Sequence, residues 1–153
     1  MIGFPTPAAY RSRPLRRSCL VSAILIPALA GAAACARPAN LDLSLDRPTD
    51  HLLFRVQVAS GSQPIPLSKV HQWSLHLAAA DGRPVTGAAV GIDGGMPEHG
   101  HGLPTAPRAE PAGTPGDYVI KGMKFSMTGW WVLKLDVAAP DGRHDKITFN
   151  LVL

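Results

Sequence analysis

Cysteine is nearly missing from this 153-residue chain: Cys19 and Cys35 are the only two, and both fall before residue 36. The remainder therefore has no disulfide, no thiol nucleophile and no thiolate metal site, and must hold itself together by core burial. Acidic residues are missing from the start, since the first is Asp42, while Arg11, Arg13, Arg16 and Arg17 crowd one short stretch. Without those four arginines, eleven basic residues face eleven acidic ones. The formal charge of +4 thus belongs to a leader, and a nucleic-acid-binding reading loses its support. A sustained helical period is missing too, which excludes a helix bundle, and 15 Gly with 15 Pro point to turns between strands. Neither a G-x-S-x-G nor a Walker loop occurs, no close carboxylate pair stands beside a histidine cluster, and Ser126 has no evident base. An enzyme is not expected.

A long apolar run is also missing. The stretch from Cys19 to Ala34 falls short of the about 20 residues of a membrane span, and Pro27 interrupts it. Four arginines, an apolar run and small residues at its end instead spell a secretory signal over residues 1–34. Two cuts fit its end. Ala32-Ala-Ala-Cys35 has the form of a lipobox, which would place a diacylglyceryl group on Cys35, although Ala32 stands where such boxes usually carry Leu. Ala34-Cys35-Ala36 also fits an ordinary cleavage before Arg37. Both export the protein to the bacterial envelope, the first with a lipid anchor in the membrane.

Residues 35–50 are polar with two prolines and read as a tether, in which Leu41, Leu43 and Leu45 alternate as an edge strand would. From residue 51 to 153 the apolar period is two. Phe54, Val56 and Val58 share a face, as do Trp73, Leu75 and Leu77; Trp131, Leu133, Leu135 and Val137; and Ile147, Phe149, Leu151 and Leu153. This is the pattern of half-buried antiparallel strands. Asp81-Gly82 and Asp141-Gly142 supply tight turns between them. Six or seven such strands in a single domain predict an all-β, immunoglobulin-like antiparallel β-sandwich, with Gly116-Asp117-Tyr118 in the place of a tyrosine corner.

Asp93 to Gly116 breaks the rhythm with six Gly and five Pro, and reads as one long loop of the kind that carries function. It holds Met96, His99 and His101; with the histidines two apart, an extended backbone points both rings the same way. Met123 and Met127 follow at the end of a strand, and a turn there would return Met127 to the loop's base. Thioether with imidazole suits Cu(I), and imidazole also accepts Cu(II). Zinc, with Glu98 beside the two histidines, ranks below copper. The competing reading is structural: a solvated turn pinned by its imidazoles, with the methionines filling the core. His51, His71, His76 and His144 read as exposed polar residues. Trp130 and Trp131 point to opposite faces, one into the core and the other over the loop or onto an interface.

The ordered series Gly94-Gly-Met-Pro-Glu-His-Gly-His-Gly-Leu-Pro-Thr-x-Pro107, Gly116-x-Tyr118 and Gly122-Met-Lys-Phe-x-Met-x-Gly-x-Trp131 resembles exported YtkA-like domains, related to FixH-type proteins, over roughly residues 70–153. The resemblance implies an immunoglobulin-like sandwich in the bacterial envelope. FixH-type members are linked to the assembly of copper-containing terminal oxidases, which implies a copper-related role, with Met96, His99, His101 and Met127 as the positions to carry over as ligands. FixH proteins keep a membrane helix, where this chain has its leader. Two functions are expected to compete: binding of one copper ion for delivery or sequestration, with a copper oxidase or transporter in the membrane as client, and a metal-free interaction module docking on a membrane protein complex.

Overall fold

The computed structural model describes Gly3 and residues 37–153; the signal segment, apart from Gly3, and Cys35 lie outside the described residues. The described chain forms nine strands: β1 (Asp46–Pro48), β2 (Phe54–Ser60), β3 (His71–Ala79), β4 (Ala89–Met96), β5 (His101–Gly102), β6 (Arg108–Pro111), β7 (Asp117–Met123), β8 (Trp130–Ala138) and β9 (His144–Val152). They build two antiparallel sheets in the orders β1-β2-β3-β7-β6 and β5-β4-β8-β9, the immunoglobulin-like sandwich that the alternation predicts. No helix among the described residues is long and apolar enough to cross a membrane.

The inner faces follow the period-two sets. Phe54, Val56 and Val58 of β2 are buried while Arg55 and Gln57 are exposed. Trp73, Leu75 and Leu77 of β3 meet Trp131, Leu133, Leu135 and Val137 of β8 and Ile147, Phe149 and Leu151 of β9 in one apolar cluster. Non-directional burial of these side chains, with no covalent staple inside the domain, holds the sheets together.

Both Asp-Gly pairs make the same turn. The Gly82 amide donates to the Ala79 carbonyl at 2.9 Å and Gly142 to Ala139 at 3.0 Å, each glycine holding a left-handed φ of +84° or +88°. Arg83 and Arg143 close the turns by donating from Nε to the preceding aspartate at 2.7 and 2.8 Å. Such three-residue loops match the strand twist only when the last residue tolerates positive φ.

Tyr118 is buried, but it does not bond back within its own corner. Its hydroxyl donates to the Val85 carbonyl at 2.9 Å and accepts from the Ala88 amide at 3.0 Å, clamping the crossing from β3 to β4. Tyr118→Phe should therefore cost about 1–3 kcal/mol, because it strands a carbonyl and an amide that lose their partner. Chemical denaturation of the two proteins checks this.

Two sequence expectations change here. The stretch read as tether contributes β1, whose Arg47 pairs with Val56, and Asp50 donates to the Lys146 carbonyl at 2.8 Å. The stretch read as one long loop is not structureless: it contains the end of β4, the short strand β5 and the edge strand β6. Pro48 and Pro111 fall in edge strands, where a missing amide breaks no interior ladder.

Candidate metal centre

One end of the sandwich gathers the residues singled out above. Strand β4 ends at Met96, and the chain turns at once, with the His99 and Gly100 amides both donating to the Met96 carbonyl at 3.1 and 2.9 Å. It returns as β5, with His101 opposite Met96 and Gly102 opposite Gly95. A side chain at Gly95 would collide with the His101 carbonyl, so the close return of β5 requires glycine there. The tight turn, rather than an extended strand, brings the two imidazoles together: their centroids lie 5.9 Å apart with planes 20° from parallel. Both histidines are exposed, so an ion can reach them.

Beneath them lies Trp131, fully buried, its ring edge-on to His101 with centroids 5.9 Å apart. Its indole N–H donates to the Met127 carbonyl at 3.1 Å, which holds the β7–β8 turn against the site. Met96 is buried, and its terminal methyl packs where a side chain at Gly129 would stand, 2.7 Å from that position. Met127, two residues before Gly129, is 43% exposed. The two imidazoles thus stand side by side, Met96 is buried against the Gly129 turn, and Met127 is exposed two residues before Gly129. Met123 is wholly buried in the core. Trp130 does not cover the loop or present an open aromatic; it is buried and donates to Asn150 Oδ1 at 3.1 Å.

Three of the four remaining histidines face a carboxylate. His51 contacts Asp145 at 2.8 Å, His76 contacts Asp117 at 2.6 Å, and His144 contacts Asp136. His71 points Nδ1 at the Lys69 carbonyl, 3.0 Å away. Among the described residues, His99 and His101 face no carboxylate; the polar contact of their rings is a long 3.5 Å approach of His101 Nδ1 to the Gly102 carbonyl. Glu98 accepts from the Arg37 amide at 3.2 Å. No three of His, Cys, Asp and Glu gather as a metal group among the described residues.

Asp145 is the buried acid that the sequence reading passed over. It lies in phase with Ile147, Phe149 and Leu151 on the inner face of β9. Burial by itself would raise its carboxyl, but hydrogen bonds from Thr49, His51 and the Lys146 amide outweigh that and hold it well below the usual carboxylate range. The same bond and charge raise His51.

Together these features define a small immunoglobulin-like β-sandwich whose one end carries His99, His101 and Met127. Residues 54–136 match the YtkA-like family, and the chain belongs to it. Among solved structures it is similar to a DUF4426 family protein from Pseudomonas aeruginosa PAO1, with 17% identity over 66% of this chain and 90% of that one and a TM-score of 0.49. It is also similar to the ZirS C-terminal domain, with 12% identity over 92% of this chain and all of that one and a TM-score of 0.38. No curated protein matches the chain significantly. None of these descriptions names a reaction.

Proposed function

We propose that this is an exported envelope protein, lipid-anchored through Cys35, that binds one copper ion for delivery to a membrane client or for sequestration. Its role on this reading is binding, not catalysis. The observation that supports it is the proximity of His99 and His101, two exposed imidazoles side by side above Trp131. Met96 at the end of β4 and Met127 in the facing β7–β8 turn would add soft donors, a set that favours Cu(I). Exposed Met127, Leu67 and Val70 at the same end favour the second reading, a metal-free module docking on a membrane protein complex.

The test is an anaerobic Cu(I) titration of the chelator-stripped protein against a competing chromophoric ligand. One equivalent held against the competitor is expected. Protons compete with the metal for imidazole, so affinity should be lower near pH 5 than near pH 7.5. Equal affinities at both would remove the histidines from the ligand set, and no competition at all would leave the docking module.

A further inference from the structure

We propose that the histidine–methionine end of the sandwich lies against the surface of an anionic lipid bilayer, so that the ion site opens toward the membrane. The inference rests on the lipid-anchored reading above and adds an orientation to it. The chain enters the described domain at Arg37, whose amide donates to Glu98 in the turn between Met96 and His101. Cys35 precedes Arg37 by two residues, a reach of about 7 Å for a fully extended chain. A lipid on Cys35 would therefore emerge beside the turn that carries His99, and not beside the opposite end, where the Asp81-Gly82 and Asp141-Gly142 turns lie.

The surface at this end suits that neighbour. Of the six exposed large apolar side chains among the described residues, Leu67, Val70, Met127 and Val152 lie at this end, at 37%, 65%, 43% and 41% exposure. They are joined into one face: Leu67 bridges to Phe125, the Ser68 amide donates to the Phe125 carbonyl at 2.7 Å, and Leu67 shares a shallow groove with Pro64, Ile65, Val152 and Leu153. Exposed Lys69 adjoins Val70, half-buried Lys124 adjoins Phe125, and exposed Arg37 stands beside Glu98, which accepts from the Arg37 amide and keeps its own charge. The opposite end carries Asp50, Asp81 and Asp141, with Arg83 and Arg143 spent on the latter two. Apolar side chains flanked by lysine and arginine are what an anionic headgroup layer attracts, whereas the opposite end, its arginines paired with aspartates, offers such a layer no free cation from those pairs.

The experiment uses the full chain, expressed with its own leader in an exporting bacterium. Either processing route leaves no free thiol in the mature chain, so Val70→Cys and, at the far end, Thr86→Cys can each carry a single environment-sensitive fluorophore. Both positions are exposed and spare the fold. The probe is a vesicle of phosphatidylethanolamine with a minority of phosphatidylglycerol, with nitroxide on some headgroups. Quenching severalfold stronger at position 70 than at position 86 is expected. Equal quenching, the reverse order, or failure to associate with the vesicles overturns the proposal. Copper titration of the same samples separates the two ideas: preferential quenching without copper uptake sinks only the copper reading, and copper uptake without preferential quenching sinks only this one.

Discussion

Asp145→Ala is expected to lower folding stability by about 2–4 kcal/mol, through the buried amides it leaves without an acceptor. The carboxylate accepts from the backbone of His51 at 3.0 Å, Leu53 at 3.3 Å and Lys146 at 2.8 Å, as well as from the His51 ring at 2.8 Å. It therefore ties the turn between β1 and β2 to the start of β9. Asp145→Asn should recover only part of the loss, since one oxygen is replaced by an NH2 that faces donors. The sign of the pH dependence follows from the lowered carboxyl. Its stabilisation is complete above the unfolded value near 3.8 and disappears as pH falls from there through the lower folded value. Melting followed by circular dichroism should show the parent losing stability in that acid window and Asp145→Asn losing less. Equal acid sensitivity would mean that other carboxylates govern the acid limb.

The second large effect concerns the site. Changing His99→Ala together with His101→Ala should weaken copper binding by at least about 100-fold, given that even loss of an outer partner of a ligand costs 10–100-fold. The same double variant should stay within about 1 kcal/mol of the parent in stability, because both side chains are exposed and bond to little besides the Gly102 carbonyl. Copper affinity and thermal melting, measured on one preparation, decide between the two functions. Lost affinity with an unchanged melt supports ion binding. A lowered melt with or without copper means that the stacked rings and their contact with Trp131 pin the turn, and the structural reading wins.

The long strands were legible because each buries one face, and alternation over seven to nine residues leaves little doubt about which side is inward. β1, β5 and β6 were not, for they have three, two and four residues and exist by pairing with a neighbour rather than by a pattern of their own. The site divides the same way. His99 and His101 announce themselves by spacing, whereas Gly95, Gly129 and Trp131 matter through contacts between distant segments. Asp145 did leave a trace: it is an acid in step with Ile147, Phe149 and Leu151, and a charged residue in a buried phase needs several donors around it.

Leu153 bears on how the protein is best handled. Leu153 both donates to and accepts from Gly129, at 3.0 and 2.8 Å, and Gly129 is the position on which the Met96 methyl rests. Anything fused after Leu153 would emerge within reach of the Met127 turn. A polyhistidine purification handle placed there would hang imidazoles over the site and compete for the ion whose binding is to be measured. The Asp141-Gly142 hairpin, at the opposite pole, is the place to graft a handle that leaves the metal chemistry untouched.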